Sequence, residues 1–381
     1  MFKKEDTIMD PTVLERAYTA SLKKIRRNCD SIGVAFPHVA NGPHGEYDRE
    51  KPSFWTGGFW GGLLWLAYRE THDPKLLETA CELETALDVP LDEYLHIHHD
   101  VGFMWMPTAV AHYRKTGCQA ARARGLKAAS HLMGRFNLNG RFLRAWNDEV
   151  YADSQGWAII DCMMNISLLY WASRELHDPR FRQIAMAHAD TVLESFLRPD
   201  GTVPHIVRFD PETGRKIENL GGQGKGPDSV WSRGQAWAIY GMAISYRETG
   251  CTRYLDAARK VAHTFWSALP DDKIPYWDFC AEGEEREARD SSAASCAASG
   301  MLEIAALTRD PEEKTFFTNC ALEILQSLSE HYACFDDSTQ GIIRAGTVSY
   351  PARRHINVPI IYGDFFFVEA LGKWKGLPGL F

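Results

Sequence analysis

Residues 233–246 read RGQAWAIYGMAISY, a helix-length run that carries one charge, at its first position. A helix made from it has no polar face, so it must be buried on all sides. Five further stretches have the same character, each beginning at a small polar or charged turn. They start at Thr56 (TGGFWGGLLWLAY), Asp100 (DVGFMWMPTAVAHY), Asp161 (DCMMNISLLYWAS), Asp290 (DSSAASCAASGMLEIAAL) and Asp364 (DFFFVEALGKW). Between them lie amphipathic, charge-bearing segments at 13–28, 74–87, 118–135, 179–197, 251–269 and 311–332. Six buried helices alternating with six half-buried ones predict a closed ring of helical hairpins, an all-α (α/α)6 toroid. The inner ring touches neighbours everywhere, while the outer ring shows one face to water. The polar starts of the inner helices then surround one shared mouth.

The starts are unevenly spaced, by 44 residues at the closest and 74 at the widest. Exact solenoid repeats are more regular, so the long intervals are expected to carry loops over the mouth. No Pro/Gly/Ser-rich linker or block of like charge divides the 381 residues, which are read as one domain, 1–381.

The net charge of −8 argues against a nucleic-acid partner, which would need a basic stripe. It leaves room for a small anionic substrate, because one arginine can hold a carboxylate inside an acidic protein. The nine cysteines are scattered and form no CxxC pair, which reads as reduced thiols. No apolar run is long enough to span a membrane, and the first ten residues lack the apolar core of a signal peptide. The expected setting is the cytoplasm.

Asp100 and Asp161 are the most suggestive of the mouth residues. Asp161 lies between Trp157-Ala-Ile-Ile and Cys162-Met-Met, so its carboxyl is expected to be raised in pKa and usable as a general acid. Asp100, after His96-Ile-His98-His99, is expected to be the more polar partner that stays ionised. Two carboxyls tuned apart across a pocket suit glycoside chemistry. The competing reading is that each Asp caps its helix. Asp290 and Asp364 are read as structural in that way. Three histidines beside Asp100 are metal ligands by type, but their spacing is that of neither a helical site nor a finger. One or two of them are expected to line the mouth and hydrogen-bond a substrate hydroxyl.

A long loop holds His205, Arg208 and then Gly221-Gly-Gln-Gly-Lys-Gly. It lacks the Gly-Lys-Ser/Thr ending of a phosphate loop, so the glycines are expected to fold backbone over a pocket. Arg233, flanked by Trp231 and Trp237, is suited to take a carboxylate in its donor fork while the indoles stack on a sugar ring. Trp55 is a further candidate wall.

The segments FWTGGFWGG, HIHHDVGFMW, GWAIIDCMMN, PHIV, WSRGQAWAIYG, DSSAAS and YGDFFFVEAL, taken together and in this order, resemble the unsaturated glucuronyl hydrolases of glycoside hydrolase family 88. They cover the chain from about residue 50 to 371. The resemblance implies that Asp161 is the general acid and base and Asp100 its partner carboxylate. It implies that Trp55, His99, His205, Gln223, Trp231, Arg233 and Trp237 line the substrate subsite. It also implies hydration of the vinyl ether of a Δ4,5-unsaturated uronate at the non-reducing end of a lyase-generated oligosaccharide, with no metal and no organic cofactor. The related family 105 rhamnogalacturonyl hydrolases typically carry Gly-Asn-Gly-Trp where this chain has Gly234-Gln235-Ala236-Trp237, which favours the glucuronyl family. An inverting toroid glycosidase and a non-catalytic sugar-binding protein remain as alternatives. Selection of the leaving sugar is expected from the loop at 341–359, with Arg344, Tyr350, Arg353, Arg354 and His355. Neither its sulfation nor the oligomeric state is legible.

Overall fold

The computed structural model describes residues 11–94 and 96–381. Its helices are α1 (Pro11–Ile32), α2 (Phe59–Thr71), α3 (Pro74–Ala86), α4 (Asp88–Glu93), α5 (Val101–Trp105), α6 (Ala111–Thr116), α7 (Gln119–Met133), α8 (Cys162–Asn165), α9 (Ser167–Leu176), α10 (Pro179–Ser195), α11 (Ser232–Thr249), α12 (Thr252–Ala268), α13 (Ser291–Leu307), α14 (Pro311–Ser327) and α15 (Ile361–Trp374). The inner ring is α2, α5–α6, α8–α9, α11, α13 and α15. Each packs on the next, and α15 returns to pack on α2, which closes the circle. The outer ring is α1, α3, α7, α10, α12 and α14. The (α/α)6 toroid expected from the alternation is the observed fold. Every residue of α11 from Ser232 to Ser245 is buried, as its lack of a polar face requires.

The two ends of the toroid differ. At one end five of the six inner helices turn into an outer helix within a few residues. His72, Gly117, His177 and Gly250 end inner helices in the left-handed conformation. Asp73, Asp178 and Asp310 then start outer helices ahead of a proline, each accepting an N–H from the first turn at 2.8–3.0 Å. All the long loops are at the other end, the mouth. The short-turn end is filled by residues 377–381. Phe381 is buried with its ring 5.8–5.9 Å from those of Phe103, Phe365 and Phe366, and Arg114 and Arg247 donate to the carbonyls of Leu380 and Phe381.

Two inner helices depart from the single runs read in the sequence. Pro107 has no N–H to donate, and the turn around it widens into a π segment (Met106–Val110) between α5 and α6. The third inner helix is divided at Ile166 into α8 and α9.

The loops add strands that the helical pattern does not announce. β1 (Phe136–Asn137) pairs with β2 (Phe142–Leu143). β3 (Trp157–Ile159), β4 (Ile206–Phe209) and β5 (Lys216–Leu220) form an antiparallel sheet over the mouth in the order β3-β4-β5. No helix among the described residues is long and apolar enough to cross a membrane. All nine cysteines are free.

Candidate active site

The β3–β4 register decides where the chemistry sits. Ile159 pairs with Ile206, and the next pair outward is joined by the Ile160 N–H donating to the His205 carbonyl at 3.1 Å. Asp161 and His205, 44 residues apart in sequence, therefore leave the sheet side by side. His205 Nε2 lies 3.5 Å from Asp161 Oδ2. His205 Nδ1 accepts the Gln223 N–H at 2.9 Å, so the ring hydrogen is on Nε2, the nitrogen beside the carboxyl, though the two make no hydrogen bond. Burial holds His205 neutral, with its pKa lowered to about 3. Gly222 makes this approach possible. Its φ is +58°, and a Cβ there would lie 2.1 Å from His205 Nδ1. The glycines of this loop fold backbone over the mouth, as expected from their pattern.

Neither Asp100 nor Asp161 caps its helix through its side chain. Both carboxyls are buried at the mouth, and Asp161 Oδ2 has no hydrogen-bond partner in the protein. Burial raises the Asp161 pKa to about 7, against the opposing pull of the Arg233 charge and the nearby Trp237 indole. Asp100 is buried rather than in the polar setting expected of it. Its pKa is pushed well above the ordinary value, first by burial and then by the negative charge of Asp161. Its neighbours are not cations. His98 Nδ1 and His99 Nε2 each stand 3.4 Å from one of its oxygens, and burial keeps both rings neutral. The Asn165 amide, donating to Oδ1, and the more remote Arg135 favour the charge. Burial thus raises both carboxyls above the ordinary carboxylate range, and the charge of Asp161 adds to the effect on Asp100.

The three histidines of the run part company. His96 points outward and pairs with Glu149 at 3.0 Å, half exposed. His99 is fully buried beside Asp100. Donor atoms of His98, His99 and Asp100 lie within 4.8 Å of one another, as do those of His38, Asp48 and Glu50. By type, these are the residues that could hold a metal.

Arg233 is fully buried, and the free donor fork expected of it is not there. Its terminal nitrogens donate to the Asp290 carboxylate and to the carbonyls of Thr347 and Val348, the last two at 2.7 Å. It ties the 341–359 loop to α11 and α13, and its charge acts on Asp161 through space. Asp290 also accepts the N–H groups of Ser292 and Ala293, so it is the helix cap read from the sequence. Asp364 is likewise structural, accepting from Tyr47 and from the N–H groups of Ile342 and Ile343.

The aromatic walls gather around this pair. Trp231 lies 4.4 Å from His205, its ring tilted by 49°, and under Arg233. Trp237 is core, 5.1 Å from Phe103, with an indole N–H that has no protein partner. Trp55 lies 5.1 Å from Tyr362. Gln223 spends its side-chain amide on the Val348 carbonyl at 2.7 Å. Tyr350 stacks on Trp277 at 4.6 Å, with Arg353 over its other face. Arg354 is exposed, while Arg344 is engaged with Cys334 and Ser338.

Sequence reading passed over Tyr362, His38 and Asn165. The Tyr362 hydroxyl and both His38 ring nitrogens are buried without a partner beside Arg233 and Trp55. Asn165 gave one signal, its position one helical turn after Asp161.

Comparison with known proteins adds the family. The model of Glycosyl Hydrolase Family 88 matches residues 25–274. The chain belongs to this family. It is a glycoside hydrolase. It is 37% identical over 350 residues to the unsaturated glucuronyl hydrolase of Bacillus sp. strain GL1, covering 91% of this chain and 92% of that protein. It is 33% identical over 380 residues to an unsaturated chondroitin disaccharide hydrolase of Streptococcus pyogenes serotype M1, covering 97% and 93%. The crystal structure of the Bacillus enzyme superposes with a TM-score of 0.91 at 34% identity, over 95% of this chain and 97% of that one. That of the Streptococcus agalactiae enzyme gives 0.90 at 31%, over 98% and 94%.

Proposed function

We propose that this enzyme removes the Δ4,5-unsaturated uronate from the non-reducing end of lyase-generated glycosaminoglycan disaccharides, with Asp161 as general acid and base. Its relatives are named for unsaturated glucuronyl and chondroitin disaccharide substrates. The observation that carries the assignment is the Asp161 carboxyl itself. It is buried, poised near neutrality at about 7, and has an oxygen that no protein group satisfies. A carboxyl with that pKa can give up a proton and take one back at the same pH.

In the reaction, the Asp161 proton passes to C4 of the vinyl ether, and positive charge develops at C5 and the ring oxygen. Water adds at C5 as the Asp161 carboxylate takes its proton. The resulting hemiketal opens, releasing the neighbouring sugar and a 5-keto uronate. Asp100, its pKa raised by burial and by the Asp161 charge, hydrogen-bonds ring hydroxyls and stabilises positive charge as it forms. His205 stabilises the Asp161 carboxylate through its Nε2 hydrogen. Trp55, Trp231, Trp237 and His99 shape the uronate subsite. Arg233 holds the roof of the pocket rather than the substrate. Gln223 and Tyr350 carry the loop that meets the leaving sugar. The whole chain acts as one catalytic domain, and its free thiols suit a reducing cytoplasm.

The test is a panel of unsaturated disaccharides, unsulfated, sulfated and rhamnose-linked, followed by loss of the conjugated double bond. Turnover of the glycosaminoglycan members supports the proposal. Preference for the rhamnose-linked member would place the enzyme with the rhamnogalacturonyl hydrolases instead. Binding without turnover of any member would make it a sugar-binding protein.

A further inference from the structure

Asn165 ends α8, one turn after Asp161, and is fully buried. Its amide touches both inner helices of the carboxyl pair. Oδ1 accepts the Phe103 N–H of α5 at 2.8 Å. Nδ2 donates to Asp100 Oδ1 at 2.9 Å and, at 3.3 Å, to the Asp161 carbonyl. The two ends of an amide look alike and can be exchanged by a half-turn. Here a backbone N–H stands on one side and can only donate, so the oxygen must face it and the nitrogen must face Asp100.

The close approach is built into the backbone. Gly102 lies between Asp100 and Phe103, and a Cβ there would fall 2.4 Å from Asn165 Cα and 2.6 Å from its Oδ1. No side chain fits at residue 102 while this contact exists.

We propose that Asn165 is the positioning residue of the carboxyl pair, fixing the rotation of the Asp100 side chain and dividing the work of its two oxygens. Oδ1 is committed to accepting from Asn165. Oδ2, which faces His98 at 3.4 Å, is left to carry a proton or to meet the substrate. The two carboxyls are coupled, the charge of Asp161 disfavouring ionisation of Asp100. The amide, itself locked by a backbone N–H, holds one of them still. This inference rests on the reading of Asp100 and Asp161 as the reacting pair.

The test compares Asn165→Ala, Asn165→Asp and Asp100→Asn by thermal unfolding, kcat, KM and pH profile on an unsaturated chondroitin disaccharide. Asn165→Ala is expected to lower kcat about 10- to 100-fold while KM stays within about threefold, because orientation is lost and sugar contacts are not. Asn165→Asp keeps the shape but sets a third carboxyl among Asp100, Asp161, His98, His99, Arg135 and Cys162. Its added charge should move the alkaline limb of kcat/KM upward by at least about half a pH unit. If either variant folds and keeps the wild-type kcat and pH profile, with only its melting temperature lowered, Asn165 is a structural residue and the proposal fails. Should Asn165→Ala not fold, the near-isosteric Asn165→Asp decides. Asp100→Asn separates the two levels. Wild-type turnover in that variant would overturn the carboxyl pair itself, whereas inactivity there beside an unaffected Asn165→Asp would overturn only the positioning role.

Discussion

His205 Nε2 lies 3.5 Å from Asp161 Oδ2, and the Gln223 backbone N–H, donating to Nδ1, fixes the ring hydrogen on Nε2. The imidazole is neutral and acts as a dipole beside the ionised form of the acid. Removing it, in His205→Ala, should raise the Asp161 pKa and move the alkaline limb of the kcat/KM profile upward by up to about one unit, with a fall in kcat. An unmoved limb would show that His205 does not act on Asp161.

The Asp161 carboxyl also links activity and stability to pH. As a general acid it must be protonated, so kcat/KM should fall about tenfold per pH unit above about 7. Its folded pKa is raised from 3.8, so its contribution to stability is full below that value and lost as pH rises through about 7. Asp161→Asn removes the buried charge. It should melt higher than wild type at pH 8, by an amount on the order of 1–4 kcal/mol, with the gap narrowing toward pH 4. Thermal unfolding across that range checks the sign.

Arg233 joins α11, α13 and the 341–359 loop through Asp290, Thr347 and Val348. Arg233→Ala leaves the Asp290 carboxylate buried without its cation, and should cost about 3–5 kcal/mol. It also removes the positive charge that lowers the Asp161 pKa, so the alkaline limb should shift upward. Chemical denaturation and a pH profile separate the two effects.

Phe381 fills the end of the toroid opposite the mouth, against Phe103, Phe365 and Phe366. Phe381→Ala should open a cavity and destabilise the fold by about 3–5 kcal/mol. A loss under about 1 kcal/mol would mean that the plug is dispensable.

The toroid was legible because burial on all sides leaves a mark that helix propensity does not. A run such as 291–302 can be helical and free of charge only if nothing around it is water. The ring order followed from alternation alone. What stayed hidden were features decided between distant residues. β3, β4 and β5 have three to five residues each and are too short for an alternating pattern to stand out, yet their register is what sets His205 beside Asp161. The raised pKa of Asp100 was missed for a related reason. A run of three histidines looks polar in sequence, and only packing shows that His98 and His99 are buried and uncharged. The Arg233 fork was misassigned because its acceptors, Asp290 and the carbonyls of Thr347 and Val348, lie 57 to 115 residues away.

The most direct measurement is ultraviolet absorbance of the conjugated double bond during incubation with an unsulfated unsaturated chondroitin disaccharide, with wild type and Asp161→Asn side by side. The absorbance should decay with wild type and persist with the variant, which should be folded and at least as stable at pH 8. Decay at comparable rates with both proteins would contradict the assignment of Asp161 as the proton donor.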